Sequence, residues 1–160
     1  MRSSKLNINT ISLLVCDFDG VLTDNRVLLT EHGSESVFVN RADGLAISKL
    51  NESYFPVVII SSEKNSVVKK RAEKLHIESF QGIDDKEKTL RNYCYNCGIG
   101  LENVIFIGND INDLKVMKSV GWPICPSDGH DSVKSISRII LKTKGGEGVV
   151  RELLDRLIKE

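Results

Sequence analysis

The run Ile11-Ser12-Leu13-Leu14-Val15-Cys16, followed at once by Asp17-Phe18-Asp19-Gly20-Val21-Leu22-Thr23-Asp24, decides how this chain folds. An apolar run with so little alternation reads as a strand buried on both faces, as in a parallel sheet. The chain leaves that dry strand and presents two carboxylates one residue apart, then a glycine. Ligands of open α/β sheets bind at the carboxyl ends of the strands. An unpaired charge near a core is costly, so acids placed there invite a metal or a reacting phosphate.

Outward from this stretch, strand and helix patterns alternate, as in a parallel α/β sheet. Short β-rich segments at 27–30 and 36–39 flank Glu31-His32-Gly33-Ser34 and read as a hairpin. Leu45, Ile47 and Leu50 mark a short helix over 42–51. Pro56 opens a strand at 57–60, and Val67, Val68, Ala72 and Leu75 mark a second helix. A brief strand at 79–80 precedes a helix over 85–97, which Gly98 stops. Val104-Ile105-Phe106-Ile107 is another buried strand, closed by Gly108. A helix over 114–120 is stopped by Gly121, and 122–125 and 138–141 read as late, short strands. Val149, Val150, Leu153, Leu154, Leu157 and Ile158 line one face of a final helix.

Composition narrows the class. The 160 residues fit one domain, 1–160, with a core that needs no disulfide staples. Lys+Arg and Asp+Glu both total 22, and this balance argues against a nucleic-acid footprint, which shows a basic excess. No apolar stretch is long enough to cross a bilayer. Met1-Arg2-Ser3-Ser4-Lys5-Leu6-Asn7 leads into strand and not into a signal-peptide core, so a soluble cytoplasmic protein without a membrane partner is expected. Of four cysteines, Cys16 reads as a core thiol. Cys94 and Cys97 have the C-x-x-C spacing but lack a second pair of ligands, so zinc is not expected there.

Three strand ends carry the chemistry: Asp17 and Asp19; Ser61 and Ser62; and Gly108-Asn109-Asp110-Ile111-Asn112-Asp113. In a parallel sheet all three converge on one edge. Between them, Gln81-Gly82-Ile83-Asp84-Asp85-Lys86 supplies a lysine at a helix start. This set suits phosphoryl transfer. A carboxylate can attack phosphorus and form an aspartyl-phosphate. Its charge repels the phosphate, so a cation must sit between them. Mg²⁺ takes oxygen ligands, usually one or two carboxylates plus substrate phosphate. Asp17, Asp110 and the Asp19 carbonyl can supply them, while Lys86 and the Ser61 hydroxyl hold phosphate oxygens. Asp19 is then free to protonate the departing alcohol and to activate water. Taken singly, the serines could cap a helix, Lys86 could be solvated, and Asp110 and Asp113 could favour a helix N-terminus. Jointly those readings leave unexplained why every oxygen-rich cluster falls at a strand end.

These motifs resemble, in order, the four motifs of the haloacid dehalogenase superfamily of phosphatases. The resemblance runs through nearly the whole chain. It implies a Rossmann-like three-layer α/β sandwich with a central parallel sheet, a small β-hairpin flap at about 25–40 and no cap domain. It also implies Asp17 as nucleophile, Asp19 as general acid/base, Ser61 and Lys86 as further catalytic residues, and Mg²⁺ on Asp17, Asp19 and Asp110. Asp113 and Asn109 support the site. A narrower resemblance joins the capless group that includes 3-deoxy-octulosonate 8-phosphate phosphatases, nonulosonate 9-phosphate phosphatases and the C-terminal module of CMP-sialate synthetases. It rests on the hairpin, Gln81-Gly82, Asp85-Lys86 and Gly145-Gly146-Glu147-Gly148-Val149-Val150-Arg151-Glu152, and implies a homotetramer whose subunits cover one another's sites. Where octulosonate phosphatases resemble Thr-Gly-Arg, this chain has Ser61-Ser62-Glu63. With Arg71 and Lys74, Glu63 looks like the nonulosonate pattern for binding a sugar-acid phosphate, although 69–74 also reads as an ordinary charged helix face. Ser62 stands where the family usually has glycine. The eight-carbon substrate, a non-catalytic tetramerisation module and a phosphoaspartyl receiver domain are the alternatives.

Overall fold

The structure is a computed structural model and describes residues 6–159, so the reading of Met1 to Lys5 lies outside the described residues. Six parallel strands form the central sheet: β1 (Leu13–Cys16), β4 (Val57–Ile60), β5 (Glu78–Phe80), β6 (Val104–Ile107), β7 (Trp122–Cys125) and β8 (Ile139–Ile140), in the order β5-β4-β1-β6-β7-β8. The remaining strands, β2 (Leu28–Leu29) and β3 (Glu35–Ser36), pair antiparallel as the expected hairpin. Its turn closes with the Thr30 N–H on the Ser34 carbonyl at 3.0 Å.

The strands alternate between two cores. Leu14, Cys16, Ile59, Ile105 and Ile107 face one side, where α1 (Arg41–Glu52), α2 (Val67–Leu75) and α6 (Val149–Lys159) pack. Leu13, Val15, Val58, Ile60 and Phe106 face the other, under α3 (Lys86–Cys97), α4 (Leu114–Ser119) and α5 (Asp131–Lys134). Both faces of β1, β4 and β6 are therefore dry, which is why these strands read as unbroken apolar runs. Helix starts follow local chemistry. The Asn40 Oδ1 accepts from the Ala42 N–H at 2.8 Å, and the Asp85 Oδ1 from the Lys88 N–H at 3.0 Å. Gly98, at φ +67°, ends α3 as expected.

Three readings change. β1 starts at Leu13, with the Ser12 N–H just before it bonded to the Asn103 carbonyl at 2.8 Å. α4 ends at Ser119 on an extended Val120, so Gly121 is not its stop. Gly121 instead lets the chain press against Glu102, where a side chain would collide with main chain, and its N–H bonds to the Leu101 carbonyl at 2.8 Å. Ile158 lies 71% exposed at the end of α6, past the apolar face that buries Val149 to Leu157. Among the described residues, no helix is long and apolar enough to cross a membrane.

Candidate active site

β1 is flanked by β4 on one side and β6 on the other, so the chain winds outward in opposite directions from it. Such a switch point opens a crevice at the carboxyl edge of the sheet. Asp17 leaves β1 into that crevice. A wide single turn follows, with Gly20 at φ +81°. The buried Thr23 is its hub: the hydroxyl oxygen accepts from the Gly20 N–H at 3.2 Å and the Asn25 N–H at 3.1 Å, and the hydroxyl donates to Asp19 Oδ1 at 3.3 Å. Asp19 is thereby aimed across the turn.

Asp17, Lys86 and Asp113 form a buried ion triad. The Lys86 ammonium lies 2.9 Å from Asp17 Oδ1 and 2.7 Å from Asp113 Oδ1. Asp113 Oδ2 accepts the main-chain N–H groups of Asn109 at 3.0 Å and Asp110 at 3.3 Å, which locks the loop after β6. Gly108 is needed because a Cβ there would sit 2.7 Å from both Asp113 Cβ and Met117 Sδ. Burial pushes the Asp17 carboxyl up to about 7, Asp113 adds to the rise, and Lys86 pulls against both. Burial also works against the Lys86 ammonium, but the two carboxylates outweigh it and hold its pKa above the usual value. Asp19 is raised by burial first and then by Glu63, while Thr23 pulls it down. A carboxyl kept up in this way suits proton transfer near neutral pH.

A pocket of about 270 Å³ opens over these groups. Asp17, Asp19, Ser61, Glu63, Asn109 and Asp110 line it, together with Ser62 and Asn112 of the strand-end clusters and with Asn25, to which sequence reasoning gave no role. The Ser61 hydroxyl oxygen accepts the Glu63 N–H at 3.1 Å, leaving its own O–H to donate into the pocket. Glu63 is fixed by the Asn65 N–H at 2.7 Å. Arg71 and Lys74 are not on the lining: the Arg71 guanidinium donates to the Asn40 carbonyl at 3.0 Å, and Lys74 is exposed on α2. Ser62 meets the Asn112 amide at 3.5 Å on the rim. A larger hollow of about 650 Å³ lies beside α6 and contains none of the strand-end acids. Thr23 was missed because its partners are main-chain groups of a non-repeating turn. Asn25, which adopts φ +67° beside that turn, offered only its residue type as a signal.

The lining chemistry fits a small hard cation, since Asp17, Asp19 and Asp110 bring hard oxygen donors to one pocket. The Asn109 carboxamide, oriented so that its NH₂ donates, bonds to the Asp19 carbonyl at 2.9 Å and to Asp17 Oδ2 at 3.2 Å. Among the described residues, no three His, Cys, Asp or Glu side chains converge as a metal cluster. Cys94 and Cys97 are free thiols, one buried and one exposed.

Comparison with known proteins agrees with this geometry. The haloacid dehalogenase-like hydrolase family matches residues 62–153. The 3-deoxy-D-manno-octulosonate 8-phosphate phosphatase of Yersinia pestis is 32% identical over 149 residues, covering 92% of this chain and 80% of that protein. A structure assigned to the same hydrolase family, from Streptomyces avermitilis, superposes with a TM-score of 0.94 at 40% identity, covering 96% of this chain and 88% of the other. The Moraxella catarrhalis 3-deoxy-D-manno-octulosonate 8-phosphate phosphatase, solved with magnesium, phosphate and KDO, superposes with a TM-score of 0.90 at 31% identity, covering 95% and 88%. Fold, strand-end acids and sequence together place this chain in the haloacid dehalogenase-like hydrolase family.

Proposed function

We propose that this protein is a Mg²⁺-dependent phosphomonoesterase acting on the phosphate ester of a keto-deoxy sugar acid, with a nonulosonate 9-phosphate as the preferred substrate. The observation that carries the reading is the convergence of Asp17, Asp19 and Ser61 on one strand-edge pocket, with the buried Lys86 ammonium held 2.9 Å from Asp17. An oxygen of Asp17 attacks phosphorus; the ester P–O bond breaks, and Asp19 gives its proton to the leaving alkoxide. Asp19 then takes a proton from water, which attacks the aspartyl-phosphate, releasing inorganic phosphate and restoring Asp17. Lys86 and the Ser61 hydroxyl hold the equatorial oxygens, and Asp113 holds Lys86. Asp17, the Asp19 carbonyl and Asp110 would hold the cation, which would neutralise charge between the carboxylate and the phosphate.

Glu63 supports the nine-carbon substrate, because its carboxylate on the pocket wall can accept hydrogen bonds from hydroxyls next to the ester. No Lys or Arg is on that lining, so the charge for a substrate carboxylate comes from a neighbouring subunit of a homotetramer, with Arg71 and Lys74 as its donors. The 3-deoxy-D-manno-octulosonate 8-phosphate named for the relatives is the second reading.

Turnover of a panel of phosphorylated keto acids, read as relative kcat/KM, tests the assignment. Highest turnover on nine-carbon substrates is expected, together with a shift toward the eight-carbon ester in Glu63→Arg. Loss of activity to background is expected in Asp17→Asn. Retained turnover in Asp17→Asn would remove the nucleophile. A panel unchanged by Glu63→Arg would remove the specificity reading and leave the chemistry standing.

A further inference from the structure

The glycine-rich segment from Lys142 to Gly148 connects β8 to α6, and three carboxylates fix it and the helix it enters. Glu152, on α6, accepts the Lys142 N–H at 3.1 Å and the Thr143 N–H at 2.8 Å. Asp128, in the loop after β7, accepts the Gly145 N–H at 2.9 Å. The same loop reaches the segment a second time, where the Ser127 N–H donates to the Thr143 carbonyl at 3.0 Å. Asp43, on α1, accepts the Val150 and Arg151 N–H groups just past the segment's end. Burial opposes the Glu152 charge, but the Lys142 N–H, the Arg156 guanidinium and Thr143 outweigh it and pull its pKa down to about 2.

What this segment rests against is the turn that carries Asp19. The Glu147 N–H donates to the Lys144 carbonyl at 3.1 Å, closing a tight turn with Gly146 at φ +74°. The Gly146 N–H donates across to the Val21 carbonyl at 2.9 Å. A Cβ on Gly145 would overlap the Gly20 carbonyl, and one on Gly146 would overlap the main chain where Thr23 joins Asp24. Gly20 is thus confined between the Asn109 carboxamide and Gly145. Asp19 precedes Gly20, and its carboxylate accepts from Thr23. Displacing Gly20 or Thr23 therefore displaces Asp19. None of residues 142 to 148 is on the pocket lining, so the segment acts on the turn from behind. A misplacement of ~1 Å far from the chemistry can cost ~100-fold in rate.

We infer that Gly145 and Gly146 are positioning residues for proton transfer by Asp19: their turn backs the main chain from Gly20 to Asp24, and Glu152 and Asp128 hold that turn in place. The inference rests on the proposed phosphatase reading, in which Asp19 protonates the leaving alkoxide. It adds to that reading residues that never touch substrate.

The test compares two esters on the full-length protein in saturating MgCl₂. One is whichever of the eight- and nine-carbon sugar-acid phosphates wild type turns over faster; its alkoxide needs a proton to leave. The other is p-nitrophenyl phosphate, whose phenolate leaves without one. kcat/KM covers the steps up to departure of the leaving group, so the sugar-over-aryl ratio reports the placement of Asp19, whereas a general loss of folded protein lowers both values alike. Gly145→Ala is expected to lower that ratio at least ~10-fold, on the scale of a positioned proton donor. Asp128→Ala frees the Gly145 N–H at an exposed position and is expected to lower the ratio ~3-fold, the scale of one lost hydrogen bond. Asp128→Asn keeps an acceptor oxygen and is expected to restore it. The Asp128 pair covers the case in which Gly145→Ala fails to fold. Equal losses on both esters in Gly145→Ala overturn the positioning role, and an Asp128→Asn ratio as low as that of Asp128→Ala overturns the clamp. If wild type hydrolyses neither ester, the phosphatase reading falls together with this one. A wild type active on both, with a ratio untouched by Gly145→Ala and Asp128→Ala, removes this inference alone.

Discussion

The Lys86 ammonium is the residue on which two buried carboxylates depend. Its bonds to Asp17 and Asp113 are both under 3 Å, and none of the three side chains exceeds 7% exposure. Removing one partner of a buried ion pair typically costs ~3–5 kcal/mol, because the remaining charge is stranded. Lys86→Ala measured by urea unfolding in EDTA is expected to lose that much. Adding Asp113→Asn removes one of the two stranded charges, so the double variant is expected to be at least ~1 kcal/mol more stable than the sum of the single losses predicts. Strict additivity would show that the triad does not act as a unit. Thr23 gives a second prediction. Thr23→Val keeps shape but strands the buried Gly20 N–H, frees the Asn25 N–H and releases Asp19, at ~1–3 kcal/mol of stability. The hydroxyl lowers the Asp19 pKa, so its loss raises that pKa further. The pH–rate limb set by Asp19 is expected to move to higher pH, with kcat falling ~10-fold or more as a positioned proton donor is lost. An unmoved limb would disconnect Thr23 from Asp19.

Helices α1 and α6 are joined by an acid that takes part in no chemistry. Asp43 Oδ1 accepts the Val150 N–H at 2.8 Å and the Arg151 N–H at 3.2 Å, capping α6 from another element, while Oδ2 is buried without a partner. Burial lifts its pKa from 3.8 to about 6, against the pull of the Arg151 and Val150 N–H groups and the Arg71 charge. The folded state therefore holds a proton that the unfolded chain has already released. Stability from this site is complete below pH ~4 and disappears as pH rises through ~6, a loss of up to ~3 kcal/mol at ~1.4 kcal/mol per pH unit. Asp43→Asn keeps the Oδ1 acceptor and cannot ionise. The stability difference between Asp43→Asn and wild type is expected to shift in favour of the variant by up to that amount between pH 4 and 7 in urea titrations. A flat difference would mean the carboxyl is not held up by burial. The same scale separates what the sequence revealed from what it did not. Runs such as Val104 to Ile107 name their strands because both faces are dry, and parallel strands bring their ends to one edge whatever the intervening loops do. The strand-edge positions of Asp17, Ser61 and Asp110 were legible for that reason. That Arg71 and Lys74 lie off the pocket lining of their own chain was not, because spacing along α2 does not say which side of the strand-edge crevice the helix occupies. Ile158 continues the apolar period of α6 onto an exposed position.

At the scale of the whole molecule, what stands out is apolar surface gathered in one place. The hairpin leaves Val27, Leu28, Leu29 and Phe38 between 52% and 70% exposed, on a two-stranded ribbon that a chain this size gains nothing from exposing to water. Contiguous exposed apolar surface of this kind marks an interaction site. The ribbon nevertheless stays near its own pocket: Glu35 on β3 accepts from the Asn65 amide at 3.2 Å, and Asn65 in turn holds Glu63. Association through the hairpin would thus bury the apolar residues and close the pocket mouth in one event, as the proposed tetramer requires. Fully burying one Leu or Phe contributes ~1.5–3 kcal/mol, and a homotetramer repeats each contact by symmetry. Leu28→Glu with Phe38→Glu is therefore expected to shift the protein to a monomer in light scattering at micromolar concentration. The thermal transition should persist, because neither side chain belongs to the core of its own subunit. Turnover of sugar-acid phosphate is expected to fall with the assembly, while Mn²⁺ binding should not, since the proposed cation ligands all belong to one chain. A monomer with undiminished turnover would show that the pocket needs no neighbour; an intact tetramer would place the interface elsewhere on the molecule.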